Sequence, residues 1–414
     1  MNPNNPKLKY KGGIRLKQAK VYGKIAFLST YPPRECAVGS FTEDLLTTLD
    51  HSDIINSQVI AVSNTPNCAY NHKVMAEIRQ NERSDYTEIA KKLNDSNIDI
   101  LVIEHDYSIY GGDEGDYILD LIEHLQIPIV TILHSIMLEP NLKQRFILHE
   151  IGKKSAKVIT MARNTAEMLQ SIYGIEAEKI EFIHHGVPKK PLQPQKAIKK
   201  KFGFEEKQVI STFGLIGPGK GIELGIEAIS KVIHSKTDIH GTPVDHKDIL
   251  YLILGQTHPL LGEEGAIYRK KLEDLVDELD LRRNVVFINK YLSKDDIIQY
   301  LQLSDIYVSP YLEKDNAVSG TLAYAVGYGK AIVSTPYLYA LEMLSQGGGL
   351  LVEFGNSDAL ADSIKQVLEE PFKKVKMERE TSKIGRTMYW DKVAQKYTSV
   401  LINIITSASQ IDVM

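Results

Sequence analysis

The sequence predicts an α/β chain of two doubly wound, Rossmann-like domains facing one interdomain cleft. Three observations predict it: short β-branched apolar runs alternate with longer segments of helical period, the alternation stops at a Pro- and Lys-rich stretch, and it then resumes. In the first half the runs are "KIAFLST", "QVIAVS", "IDILVIEHD", "IPIVTILH", "AKVITMA" and "KIEFIHHG". They are continuously apolar, as strands covered on both faces should be, so each sheet should be parallel with helices on either side.

Helical stretches between the runs carry start signals. Ser40 with Glu43 and Asn164 with Glu167 match capping boxes. The acids of "GGDEGD" precede the helical segment "YILDLIEHL", where they favour the helix N-terminus, and that reading is preferred to a metal site. The stretch "PKKPLQPQKAIKKKFGFEEKQ" has no apolar strand and reads as a linker. Strands resume with "VISTFGLI", "ILYLILGQ", "NVVFINK", "IYVSPY", "AIVST" and "LLVEF". The expected divisions are a basic tail over residues 1–22, a first domain over 23–190, a linker over 191–207, a second domain over 208–375 and a C-terminal helical segment over 376–414. Trp390 in that last segment has the apolar spacing of a packing residue. "HSKTDIHGTPVDHKD" reads as a surface insertion whose three histidines lack metal-ligand spacing.

Composition sets outer limits. With 414 residues, 43% apolar and 25% charged, the chain can bury two ordinary cores. A net charge of −4 argues against a dedicated nucleic-acid binder. Cys36 and Cys68 make neither a disulfide framework nor a metal quartet, no apolar run approaches the length of a membrane span and the N-terminus lacks a signal-peptide core, so a soluble cytoplasmic protein is expected. Lys7, Lys9, Lys11, Arg15, Lys17, Lys20 and Lys24 crowd the start without an acid. They read as a solvated tail, with a weak contact to an anionic membrane surface as the alternative.

Open parallel sheets bind ligands beyond the C-terminal ends of their strands, so two facing sheets make one cleft. The strongest local signal lies there. In "VISTFGLIGPGKGIELGIEAI" a strand enters a turn with Gly217 and Gly219, then Lys220, then a helix. Gly214 to Lys220 fits GxxxxGK, but Gly221 stands where a P-loop holds magnesium with Ser or Thr. A metal-independent diphosphate site is therefore preferred to a P-loop NTPase, which would need strict Mg²⁺ dependence. A plain glycine turn with an exposed lysine is the bland alternative. In "AVSGTLAYAV" Ser319, Gly320 and Thr321 open a helix, and their N–H groups and dipole suit an anion. If the strands before Lys220 and Ser319 are sheet neighbours, both sites meet on one anion.

With these residues in hand the chain resembles GT-B-fold retaining glycosyltransferases of glycosyltransferase family four. The likeness runs through "FLSTYPPRECAVGSFTEDL", "IEHD", "VTILHS", "IEFIHHGVP", "GPGKG", "SDIYVSPY", "GYGKAIVST", "GGGLLVEFGNSDALADSI" and "YWDKVAQKY". It implies a hexosyltransferase that moves sugar from a nucleoside diphosphate sugar, such as a UDP- or GDP-sugar, to a carbohydrate or glycan acceptor. No metal or other cofactor is implied. By the same likeness Lys220 neutralises the donor diphosphate, Gly39 lies beside phosphate or acceptor, and His134 sits beside the transferred sugar. Glu104 and His105 fall on the acceptor side, with His185 lining the cleft near the hinge. The last segment is expected to cross back onto the first domain.

The chain also departs from the family pattern. Asn316 and Tyr324 occupy the positions of its two glutamates, and Leu215 replaces the arginine of its Gly-Arg pair. Glu313 and Asp315 read better as solvated loop acids than as substitutes. In retaining transfer on this fold the departing diphosphate deprotonates the acceptor, so charge stabilisation and orientation are what the site must supply. A non-catalytic relative that binds sugar nucleotide or glycan is the alternative expectation.

Overall fold

The computed structural model describes residues 23–65, 68–258 and 261–411; the basic tail over 1–22 lies outside them. The first sheet comprises β1 (Gly23–Ser29), β2 (Ile55–Ser63), β3 (Val74–Arg79), β4 (Ile100–His105), β5 (Ile129–Leu133), β6 (Lys157–Thr160) and β7 (Ile180–Phe182). Its strand order is β3-β2-β1-β4-β5-β6-β7. The second sheet comprises β8 (Gln208–Phe213), β9 (Ile249–Leu254), β10 (Val285–Ile288), β11 (Ile306–Ser309), β12 (Ala331–Ser334) and β13 (Gly349–Leu351), in the order β10-β9-β8-β11-β12-β13. Every pairing is parallel. Both sheets reverse direction once, between β1 and β4 and between β8 and β11, and such switch points open crevices for ligands.

The continuous apolar runs are strands buried on both faces, as in β4, β5, β9 and β11. The sequence reading missed β3 because "VMAEIR" is an edge strand with exposed Glu77 and Arg79, not a continuous apolar run. The stretch read as linker holds a helix, Gln195–Phe202, ended by Gly203 with φ 73°. It buries Ile198 and Lys199 against the second domain, where Lys199 meets Asp305 at 2.6 Å.

Both expected capping boxes are overturned. The helix Ala37–Asp50 starts earlier, capped at Cys36 without a side-chain bond, so Ser40 lies inside it. Asn164 precedes a helix capped at Thr165, and its amide instead donates to the Leu338 carbonyl at 2.8 Å. These side chains serve the contact between domains. Ser40 meets Tyr291 at 3.3 Å, while Lys294 binds Asp44 at 2.6 Å and Glu43 at 3.0 Å.

One apolar core runs from the inner face of the first sheet to that of the second and includes Phe41, Phe213 and Trp390. The helix Pro371–Met388 stays on the second domain, and the helix Trp390–Ile411 packs on Ala37–Asp50 of the first. Val187 bridges Tyr389 at this crossing. No helix among the described residues is long and apolar enough to cross a membrane.

Trp390 is seated over Gly186, where any Cβ would run into the indole. Gly186→Ala should therefore cost about 1–3 kcal/mol of stability, the usual range for overpacking a core. A lower midpoint in thermal unfolding is the expected result; an unchanged midpoint contradicts this packing.

Candidate functional site

The second-domain wall of the cleft is built at its switch point. β8 runs into the turn Gly214 to Gly221, where Gly214, Gly219 and Gly221 have φ of 140°, 85° and 62°. A Cβ on Gly221 would collide with the Pro310 carbonyl oxygen, so Ser or Thr is sterically barred from the position where a P-loop needs its hydroxyl. The Leu312 N–H donates to the Gly219 carbonyl at 2.9 Å and ties this turn to the loop after β11.

That tie sets the site's charge. The Lys220 ammonium lies 4.1 Å from the centroid of the Tyr311 ring. The Tyr311 and Thr321 hydroxyls are hydrogen-bonded at 3.0 Å, Thr321 meets the Ser319 hydroxyl at 3.2 Å, and Ser319 caps the helix Gly320–Gly327 by accepting from the Leu322 N–H at 3.3 Å. Because β8 and β11 are neighbours, Lys220 and the start of that helix come together, as the sequence reading required. Burial opposes ionisation of the Tyr311 phenol, but Lys220 and the Thr321 and Ser319 hydroxyls outweigh it and bring its pKa below the ordinary value. Beneath them is a cavity of about 10 Å³, lined by Gly214, Leu215, Lys220 and Tyr311 among others, with room for about one water.

The first-domain wall is built from the ends of β1, β4 and β5. Gly39 lies in the first turn of the helix Ala37–Asp50, where a Cβ would stand 3.1 Å from the Thr30 carbonyl. Glu104 and His105 end β4, and His134 follows β5. His134 Nε2 is 2.7 Å from Glu104 Oε2, which leaves Nδ1 for a ligand. Glu104 is buried and its Oε1 has no partner; burial raises its pKa against the lowering effect of His134. His105 is also buried, edge-on to Tyr107 at 4.9 Å, with Nδ1 unpartnered.

His185 belongs to the first domain but faces the second. Its Nδ1–H donates to the Gly186 carbonyl at 2.7 Å, so the Nε2 lone pair is free, and a Cβ on Gly320 would lie 3.4 Å from that nitrogen. Phe41 holds this region together, with its ring 5.0 Å from His134, 5.1 Å from His185 and 5.2 Å from Trp390.

The other residues named from the sequence are placed as follows. Tyr324 packs between His185 at 6.5 Å and Phe213 at 6.4 Å. Asn316 closes its own loop, donating to the Glu313 carbonyl at 3.2 Å and accepting from the Tyr339 N–H at 2.9 Å. Glu313 is exposed as expected, but Asp315 is half-buried with Oδ1 unpartnered, contrary to the solvated reading. Gly217 packs toward Leu261, where a Cβ would come within 2.8 Å. In "GGDEGD", Asp116 pairs with Lys143, and Glu114 accepts from Asn141 at 2.8 Å.

Sequence reasoning passed over Phe41, Tyr311 and the pair of Ser135 with Asp106. Tyr311 had a signal, since it stands two residues beyond the end of a strand at a switch point. Phe41 had none, because an aromatic on an amphipathic helix looks like any core residue.

Residues 194–388 match the family Glycosyl transferases group 1. The match covers the second sheet and its helices through Pro371–Met388. Two uncharacterized glycosyltransferases of Methanocaldococcus jannaschii are similar to the chain: one is 22% identical over 60% of each protein, the other 27% identical over 56% of this chain and 52% of its own length. The chain thus spans little more than half the length of these curated relatives. Similar solved structures include Anabaena HepE in complex with UDP and glucose, at a TM-score of 0.67 and 16% identity over 92% of this chain and 99% of that one. Sucrose-phosphate synthase from Thermosynechococcus elongatus gives a TM-score of 0.75 at 13% identity, covering 93% of this chain and all of that one. The architecture is GT-B, two parallel-sheet Rossmann-like domains across a cleft.

Burial holds His105, His184 and His185 neutral, each with a pKa pulled from 6.5 to about 4. Unfolding releases them to bind protons below their ordinary value, so between pH 6.5 and about 4 the unfolded chain holds more protons and these three residues make stability fall as pH falls. Glu104, with its raised pKa, acts the other way: its contribution falls as pH rises through the carboxylate range. His185→Gln should therefore lose less stability than the wild type between about pH 7 and 5 in thermal melts. Equal losses contradict a neutral buried His185.

Proposed function

We propose that the chain transfers a hexosyl group from a nucleoside diphosphate sugar to a carbohydrate or glycan acceptor, with retention and without a metal. The observation that carries this reading is the meeting of the Lys220 ammonium with the start of the helix Gly320–Gly327 at the switch point of the second sheet. A diphosphate there is neutralised by one cation and by N–H groups at the positive end of a helix. The steric bar at Gly221 favours metal-independent binding over P-loop chemistry.

The chemistry asks for few groups. As the bond from sugar to diphosphate lengthens, negative charge grows on the departing phosphate, where Lys220 and the helix amides stabilise it. An acceptor hydroxyl entering from the side of Glu104 and His105 attacks on the same face and gives its proton to that phosphate. His134, oriented by Glu104, presents Nδ1 to the sugar and fixes its position. HepE is solved in complex with UDP-glucose, which makes a UDP-sugar the first donor to test here. The basic tail keeps a weak contact with an anionic membrane surface within this proposal.

A second reading, a relative that binds sugar nucleotide without turnover, is favoured by Asn316, Tyr324 and Leu215, which remove two carboxylates and one cation from the family pattern. Thermal unfolding with UDP, GDP, ADP and matching sugar nucleotides, with Mg²⁺ or EDTA, tests binding. A ligand at a hundred times its dissociation constant adds about 2.7 kcal/mol of stability. One diphosphate should stabilise the protein equally in both buffers; a shift that needs Mg²⁺, or none at all, contradicts the proposal. Lys220→Ala should lower donor turnover at least about 100-fold while leaving the ligand-free melt in place. Donor hydrolysis by the wild type that is lost in His134→Ala favours the enzyme over the binding relative.

A further inference from the structure

We propose that Tyr311 is the positioning residue of the phosphate cradle: its ring holds the only lysine of the glycine-rich turn, and its hydroxyl fixes that lysine relative to the facing helix start. This role rests on the diphosphate reading above.

The problem it solves comes from Leu215. With leucine at the position of the family's arginine, the turn keeps a single cation, on a long side chain that leaves a glycine-rich loop. A free lysine there loses rotamer entropy when a ligand fixes it. A carboxylate partner would hold the ammonium but would also neutralise it and compete with the diphosphate. An aromatic face holds it without cancelling its charge. The Lys220 ammonium lies 4.1 Å from the Tyr311 ring centroid, and no ion pair of Lys220 with an acid is found among the described residues.

The platform is itself rigid. Tyr311 is 4% exposed and stacks on Tyr337 with centroids 4.9 Å apart and planes 19° apart. The Tyr337 hydroxyl is bonded to Ser309 at 2.8 Å, and Thr335 donates to the Tyr311 carbonyl at 2.6 Å. From this fixed ring the hydroxyl reaches Thr321 at 3.0 Å, one residue into the helix that would receive the other side of the diphosphate. One side chain thus ties together both halves of the cradle. The lowered pKa of its phenol is the electrostatic trace of the lysine's proximity.

The test is a double-mutant cycle in the full chain with inorganic pyrophosphate and UDP as probes, read by titration. Lys220→Ala should weaken both probes; if it does not, the diphosphate reading fails and this proposal with it. Given that loss, Tyr311→Leu should weaken binding roughly tenfold, the scale of a desolvated cation–π contact. Tyr311→Phe, which keeps the ring, should recover most of it. In the Lys220→Ala background Tyr311→Leu should add little further loss, because the two residues act as one unit. Independent, additive losses, or wild-type binding by Tyr311→Leu, overturn the role of Tyr311 while leaving the diphosphate site standing. Should Tyr311→Leu fail to fold, Thr321→Val keeps the test: it should weaken binding in wild type and add nothing to Tyr311→Phe, and additive losses overturn the proposal.

Discussion

The site depends on one close approach: the Pro310 carbonyl occupies the space that a side chain at residue 221 would need. This contact exists because β8 and β11 are adjacent at the switch point, so the loops leaving them must pass each other. Glycine at 221 lets them do so, and the bond from Leu312 to Gly219 holds them there. Lys220 is thereby placed over Tyr311, and Tyr311 beside the helix start. The same approach removes the hydroxyl that a P-loop would use for magnesium. One steric constraint thus brings Lys220, Tyr311 and the start of the facing helix together.

Across the cleft the first domain supplies few net charges and several neutral polar groups. His105 and His185 are buried and neutral, and Glu104 has only one of its two oxygens engaged. Polar contacts join the two walls: Lys294 bridges to Asp44 at 2.6 Å and to Glu43 at 3.0 Å, Gln256 donates to Glu35 at 2.8 Å, and Lys314 meets Glu139 at 2.6 Å. These contacts set the separation of the two walls, and hence the span that a ligand touching Lys220 and His134 must bridge.

Much of this was legible in the sequence, for specific reasons. Strands buried on both faces must be apolar throughout, so both sheets could be read, except the half-exposed edge strand at Val74–Arg79. The turn glycines were legible because positive φ restricts residue type, and the place of Lys220 was legible from its position in that turn. The capping boxes were misread because Ser40, Glu43 and Asn164 satisfy the local pattern yet are used by the opposite domain. A contact between domains leaves no local period. The roles of Tyr311 and Phe41 were passed over for a related reason: aromatic residues are ordinary in cores, and three-dimensional neighbours show that one carries an ammonium and the other lies between two histidines.

The central claim is that the two strand-end elements form one diphosphate site. A crystal structure of the protein grown with UDP tests it most directly. The account predicts the phosphates between the Lys220 ammonium and the N–H groups at the start of Gly320–Gly327, with Tyr311 still beneath the lysine and no metal bridging them. Phosphates bound elsewhere in the cleft, or held by a metal with Lys220 turned away, would contradict it.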